Sequence, residues 1–281
     1  VSALDYPPPT HRKLLDNVLA DPADDEPRMV CADYFSERED ARGEFIILQC
    51  RIARVLATDP NADDARLTAM QAREHSILVE HGARWLADVG LLPGEGVFER
   101  GFVEVVKIAY ERLIRADDRF GSREPATRLA LRQLKEADVE DVLARPWTQR
   151  LTSFSLHNNG LGPAAVQAML RAPRPPKLAR LNLWGNRIGD AGVTALASST
   201  YLAGITHLDL GATRLTNDGI IALAGCPHLV SLEQLELENN RGIDDAAFHA
   251  LATSPYLKHL KRLNLPEGAA RLRKHFPDVI R

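Results

Sequence analysis

Apolar residues in the C-terminal half recur in one fixed arrangement. Leu151-Thr-Ser-Phe-Ser-Leu-His-Asn-Asn159, Leu178-Ala-Arg-Leu-Asn-Leu-Trp-Gly-Asn186, Ile205-Thr-His-Leu-Asp-Leu-Gly-Ala-Thr213 and Leu232-Glu-Gln-Leu-Glu-Leu-Glu-Asn-Asn240 align without gaps. Leu260-Lys-Arg-Leu-Asn-Leu265 is a partial fifth copy. The central residues Phe154, Leu181, Leu208, Leu235 and Leu263 are spaced by 27, 27, 27 and 28 positions. Alternation predicts a short strand that puts its apolar residues on one face and the intervening polar ones on the other. Behind each strand come apolar pairs at helical spacing: Val193 and Leu196, Ile220 and Leu223, Phe248 and Leu251. Each period therefore predicts a strand, a turn and a helix. No single period can bury its own apolar face, so the stack is the folding unit.

The turns carry their own signals. Asn159, Asn186 and Asn240 close the strand segments, and an amide there can satisfy neighbouring backbone groups. Asp190, Asn217 and Asp245 hold matching positions at the helix starts, where short polar side chains cap a helix or favour its dipole. The array is expected to begin earlier, because Arg128-Leu-Ala-Leu131 repeats the strand core 25 residues before Phe154. Phe102-Val-Glu-Val-Val106 reads as a further strand, serving as an N-terminal cap. Pro266 to Arg281 loses the pattern, and its amphipathic run from Ala270 to Phe276 is expected to close the array.

Residues 11–89 lack any strand alternation. Four helices are expected: His11 to Ala20, stopped at Asp21-Pro22; one carrying Met29, Val30, Tyr34 and Phe35, opened by Asp24-Asp-Glu-Pro27; Ala41 to Leu56; and Asp63 to Trp85. Together they predict a small helical bundle.

The copies L-x-x-L-x-L-x-x-N resemble the leucine-rich repeat family. The period, and the trailing pattern Ile188-Gly-Asp-Ala-Gly-Val-Thr-Ala-Leu-Ala197, are similar to its ribonuclease-inhibitor-like subclass. The resemblance implies an α/β fold: a short solenoid shaped as a horseshoe, with parallel strands on the concave face and helices on the convex face, here preceded by a small all-α N-terminal domain. Residues 14–50 resemble a short bacterial domain found beside repeat arrays in planctomycete and myxobacterial proteins, the repeat-companion domain. The matching residues are Leu14, Leu15, Leu19-Ala-Asp-Pro22, Asp25, Pro27-Arg28, Ala32-Asp-Tyr34, Glu37-Arg38, Asp40, Arg42-Gly-Glu-Phe-Ile46 and Gln49. Tyr34 stands where the usual pattern has Trp. This second resemblance implies company for a repeat array and no assigned activity. The expected organisation is a tail at 1–10, the companion domain at 11–90, a connecting and capping segment at 91–127 with a strand near 102–106, repeats at 128–265 and a C-terminal cap at 266–281.

Composition adds constraints. Of 281 residues 45% are hydrophobic but only 6% aromatic, so aliphatic side chains must fill the core. A net charge of −3 steers the chain toward neither nucleic acid nor an anionic membrane. Cys31, Cys50 and Cys226 form no C-x-x-C pair, which predicts free thiols in a reducing, cytoplasmic setting. No stretch approaches the roughly 20 apolar residues of a membrane span. Val1 to Pro9 has neither a basic start nor an apolar stretch, so no secretory leader is expected there.

Chemical motifs are sparse. Gly160-Leu-Gly-Pro-Ala-Ala165 has the form G-x-G-x-x-A between a strand and a helix, a dinucleotide-binding context. It is, however, the repeat's own turn, and Arg180 and Asn182 stand where an acidic ribose partner would be needed. No histidine pair has metal-ligand spacing, and there is no G-x-S-x-G motif or phosphate loop. The basic clusters Arg12-Lys13, Arg171 with Arg174 and Lys177, and Arg271 with Arg273-Lys274 read as solvated faces. No catalytic residue, metal or cofactor is expected.

The expected function is non-catalytic: a scaffold that grips a protein or peptide partner on the concave face. The residues expected there are Trp184, Arg180, His157, His207, Asp209, Glu236, Glu238 and Arg262. Trp184 is the large aromatic anchor among them, and the carboxylates make an acidic stripe flanked by arginines. Asp33, Glu37, Arg42 and Glu44 form a second cluster, expected either to dock a partner or to fix a helix hairpin through a pair such as Asp33 with Arg42. The alternative function is regulation of a small GTPase or other enzyme through Arg187, Arg214 and Arg241, which follow the strands at matching positions.

Overall fold

The computed structural model describes residues 9–62, 64–116 and 119–265. Most of the expected N-terminal tail and the whole closing segment 266–281 lie outside the described residues. The chain divides into two compact units: Val1–Lys107 with Arg112–Thr127, and Ile108–Glu111 with Arg128–Arg281.

The first unit contains α1 (Pro9–Ala20), α2 (Glu26–Ser36), α3 (Ala41–Thr58), α4 (Ala65–Asp88), β1 (Gly96–Glu99), most of β2 (Phe102–Ala109), most of α5 (Tyr110–Ala116) and α6 (Arg119–Arg123). Local chemistry sets the helix starts. The Asp24 carboxylate accepts from the Glu26 amide and Pro27 occupies the first turn of α2. Asp40 caps α3 by accepting from Arg42 N at 2.9 Å, and Asp64 caps α4 by accepting from Leu67 N at 2.7 Å. Helices α2 and α3 approach closely because Gly43 has no side chain; a β-carbon there would collide with Ser36 and with the Ala32 carbonyl. The core joins Leu15, Val18, Cys31, Ala32, Phe35, Ile46, Cys50 and Phe102. Beside it Phe45 packs on Trp85 and Phe98, with ring centroids 5.1 and 5.6 Å apart. Strands β1 and β2 form an antiparallel hairpin. Its turn places both Arg100 and Gly101 in the left-handed region, at φ 49° and 87°.

The second unit continues from the end of β2 and holds β3 (Arg128–Arg132), α7 (Val139–Leu143), β4 (Ser153–Ser155), α8 (Pro163–Arg171), β5 (Arg180–Asn182), α9 (Gly189–Ala197), β6 (His207–Asp209), α10 (Asn217–Ala224), β7 (Gln234–Glu236), α11 (Asp245–Thr253) and β8 (Arg262–Asn264). Strands β3 to β8 pair in sequence order, all parallel. The register aligns Leu129, Phe154, Leu181, Leu208, Leu235 and Leu263 in one row, each at most 2% exposed. Burying each of these side chains is worth about 1.5–3 kcal/mol.

Polar ladders run beside the apolar one. The Asn186 amide oxygen accepts from Asn159 N and Leu161 N, and its nitrogen donates to the Leu156 and Leu183 carbonyls. Asn240 does the same for Thr213 N, Leu215 N, Leu210 O and Leu237 O. Each asparagine thus satisfies backbone groups of its own repeat and the preceding one, as the sequence pattern implied. Asp190 and Asp245 stand in the first turns of α9 and α11, where their charge favours the helix dipole as expected, but none of the three helix-start residues caps its own helix. Asp190 does not cap α9; its carboxylate accepts from Thr216 N, Thr216 Oγ1 and Gly219 N at the start of α10. Asn217 likewise exchanges hydrogen bonds with Asp244 of the following repeat. The reason is the short distance between stacked turns, which makes the neighbouring repeat's amides better partners than those of the residue's own helix.

The turns after β3 to β7 each place the matching residue in the left-handed region: Gln133, Asn158, Gly185, Ala212 and Asn239, at φ 57°, 55°, 71°, 52° and 59°. Ala212 has neither the freedom of glycine nor the local hydrogen bonding of asparagine. Replacing Ala212 by Asn is expected to stabilise the repeats by about 0.5–1 kcal/mol, read as a rise in the denaturant midpoint at constant slope.

Candidate partner-binding face

Three rows of side chains cover the sheet opposite the leucine row. In the first, Arg128, Ser153, Arg180, His207, Gln234 and Arg262 stand in register; in the second, Ala130, Ser155, Asn182, Asp209, Glu236 and Asn264. The third, just past the strands, runs His157, Trp184, Gly211, Glu238, and the bonds Asn158 N to Trp184 O, Gly185 N to Gly211 O and Ala212 N to Glu238 O hold its register. The sheet therefore gathers all eight residues expected from the sequence. Arg180, Glu238 and Arg262 are exposed, and His157, Trp184, His207, Asp209 and Glu236 are half-buried.

Trp184 is less exposed than expected of a free anchor. Its indole lies against Gly211 of the next repeat, where any β-carbon would collide with Cδ1 and Nε1. The other two tryptophans, Trp85 and Trp147, are buried. The Asp209 carboxylate accepts from Gly211 N at 3.0 Å. Burial pushes Asp209 above the ordinary carboxylate range, and Glu236 and Glu238 push it further, against the Gly211 bond and the nearby His157. Glu236 has Arg262 Nε at 3.7 Å, so the acidic stripe is partly neutralised at its C-terminal end. At the edge of this face Glu233 pairs with Lys261 at 2.9 Å, which holds its carboxyl low; sequence reading did not single out this pair. His207 Nδ1 lies 2.8 Å from Thr206 Oγ1, and burial and Arg180 lower its pKa.

The second cluster does not come together. Asp33 and Glu37 are exposed on and just beyond α2, and Glu44 makes a surface pair with Arg73 at 2.6 Å. Arg42 turns away from Asp33 and is buried, with Nε donating to Gly101 O at 2.8 Å and Nη2 to Glu124 Oε1 at 3.1 Å. It stacks between Trp85, Phe98 and Phe102. The expected Asp33–Arg42 pair is thus replaced by one spanning 82 residues, which no local pattern announces. The Glu124 carboxylate also accepts from Val103 N at 2.6 Å. Arg28, fully buried, donates to the Pro22 and Arg100 carbonyls and to Glu104, which Arg100 also pairs with. Gln49 accepts from Gly101 N at 2.7 Å. Residues 28, 42 and 49, read from the sequence as a family signature, therefore converge on the hairpin turn at Arg100-Gly101. Their role is to hold it.

The nucleotide-like turn has a different occupant. The Glu136 carboxylate accepts from Gly162 N at the head of α8, in the place a pyrophosphate would need. Among the described residues no group of three or more His, Cys, Asp or Glu side chains is placed to hold a metal ion, and no helix is long and apolar enough to cross a membrane. Arg187, Arg214 and Arg241 are all exposed on the turns after the strands.

A mixed α/β chain with parallel strands recurring every 25 to 28 residues, with a helix between successive strands, belongs to the repeat-protein class. A model of the family described as Leucine Rich repeat matches residues 174–197 and 205–224, which supports a leucine-rich repeat protein; motifs of this kind commonly serve protein–protein interaction. No curated protein matches the chain.

Proposed function

We propose that this chain is a non-catalytic interaction scaffold, a short horseshoe of the ribonuclease-inhibitor-like kind that holds a protein or peptide partner on its concave face. In this reading the N-terminal unit is a companion domain of the repeat array, working in the cytoplasm and needing no cofactor. One observation carries the reading: the eight expected side chains line up on one side of the parallel sheet, on β4 to β8, and Arg180 and Glu238 there have no ion-pair partner among the described residues. Six strands at about 4.8 Å give a face roughly 24 Å wide. A standard interface takes about 800 Å² per partner, so a partner seated here also reaches the turns that flank the strands.

The second reading, regulation of a GTPase or another enzyme, rests on the exposed Arg187, Arg214 and Arg241. The same edge also carries Asp190, Asp218, Asp244 and Asp245, so its charge is balanced, which favours the first reading. The test is capture of partners by the full chain. A variant carrying Trp184→Ala with Glu236→Lys is compared with Thr194→Lys, a change on the exposed side of α9. Loss of the same partner in the first variant and retention in the second is the expected result. Equal capture by both contradicts it.

A further inference from the structure

We infer that the partner segment received on this face presents an arginine, seated over the Trp184 indole and held by Asp209 and Glu238. The inference rests on the concave-face reading and adds the chemistry of the occupant. Charge complementarity and the shape around Gly211 carry it.

The strand register makes Asp209 and Glu236 neighbours in one row, and places Gly211 between Trp184 and Glu238 in the next. Gly211 is the only position of that inner third row without a side chain, and the indole lies across it. The indole Cδ1 and Nε1 thus lie over the backbone of the repeat that also carries Asp209. The Asp209 carboxylate has one hydrogen bond, from the Gly211 amide, and the Glu238 carboxylate has no hydrogen bond or ion pair among the described residues. Glu236 shares Arg262 at 3.7 Å. Three carboxylates therefore gather beside a half-buried aromatic ring, with Arg262 at 3.7 Å from Glu236 alone and with His157 and Arg180 elsewhere on the face. The planar, weakly hydrated guanidinium fits this surroundings best, because it stacks on an indole while its fork reaches carboxylates. An ammonium would satisfy the charge but not the stacking. An acidic segment would meet like charge at the centre of the face.

The burial that raises Asp209 agrees with this: a carboxylate kept half-desolvated beside two others gains most from an added cation.

The probe is a tetra-arginine peptide, with tetralysine and tetraglutamate for comparison, titrated into the full chain. Trp184 is the one tryptophan not buried, so its fluorescence reports the site. Saturable change with tetra-arginine is expected, with tetralysine weaker by about two- to fivefold. Asp209→Asn with Glu238→Gln, both on the solvent side of the sheet, should weaken binding by about three- to tenfold. Gly211→Ala, which displaces the indole, should weaken it with all carboxylates in place. Absence of saturation up to about 10 mM, a Kd unchanged by the Asp209 and Glu238 changes, or equal binding of tetraglutamate would each overturn the inference. Failure of the broader reading looks different. If tetraglutamate binds instead and Arg180→Ala abolishes it, the face still docks a partner and only the arginine is wrong. If no peptide binds and the capture variants behave alike, the face itself is wrong.

Discussion

Leu208→Asp is expected to unfold the repeat unit. Leu208 is 1% exposed and stands in the middle of the buried row, with Leu181 and Leu235 paired on either side. The change removes about 2 kcal/mol of apolar burial and adds the cost of a charge with no buried partner, several kcal/mol more. The sum rivals the roughly 5–15 kcal/mol that holds a typical domain together. Because repeats stabilise one another through nearest-neighbour contacts, a defect at the centre separates the array into two short pieces. Leu208→Val, by contrast, should cost only about 1 kcal/mol and keep a cooperative transition. Circular dichroism melting of the two variants checks both outcomes; a Leu208→Asp protein that melts like the parent would mean that the strand register is wrong.

The second large effect belongs to the first unit. Arg42→Ala is expected to cost about 3–5 kcal/mol, because it strands the buried Glu124 carboxylate. The loss also empties the space between Trp85, Phe98 and Phe102 and frees the Gly101 carbonyl. Burial already pushes Glu124 above the ordinary carboxylate range, with Arg42 and the Val103 amide pulling back. Removing Arg42 takes away the largest opposing influence, so the folded-state pKa of Glu124 rises further. A carboxyl whose pKa is raised on folding favours the native state below its unfolded value of about 4.3 and loses that contribution as pH climbs through the folded value. The deficit of Arg42→Ala relative to the parent should therefore shrink on acidification from pH 7 and be largest at neutral pH. Denaturant titrations at two pH values read this directly. Replacing both partners, Arg42→Met with Glu124→Leu, should recover part of the loss, since it removes the stranded charge but leaves the Val103 amide and the Gly101 carbonyl without these partners. If the single variant costs no more than a surface pair, about 0–1 kcal/mol, the buried pair does not hold the hairpin turn.

What the sequence revealed follows from how local each interaction is. The leucine row, the asparagine ladder and the positions of the strands were legible because a repeat prints the same environment again and again at fixed spacing. The four N-terminal helices were legible from stops and starts such as Asp21-Pro22 and Asp24-Asp-Glu-Pro27, whereas the caps Asp40 and Asp64 were not singled out. The partners of Arg28 and Arg42 were not. Glu104 and Glu124 lie 76 and 82 residues away, and nothing near either carboxylate marks it as an ion-pair partner. Asp190 stands in the first turn of its own helix, as its position implied, but only stacking shows that its carboxylate reaches the next repeat's amides. On the face itself, register predicted which residues meet. It did not predict that Trp184 would settle onto Gly211, because that depends on an absent side chain one repeat further on.

The most direct test of the account places a photo-reactive residue on the sheet face at position 182 and, as a comparison, on the exposed side of α9 at position 194, in the full chain. Asn182 is half-buried between Ser155 and Asp209, so an adduct formed from it reports contact with that face alone. A partner protein is expected to be crosslinked from position 182 and not from 194, and an excess of tetra-arginine is expected to reduce the yield. Crosslinking of that partner from position 194 alone would contradict it.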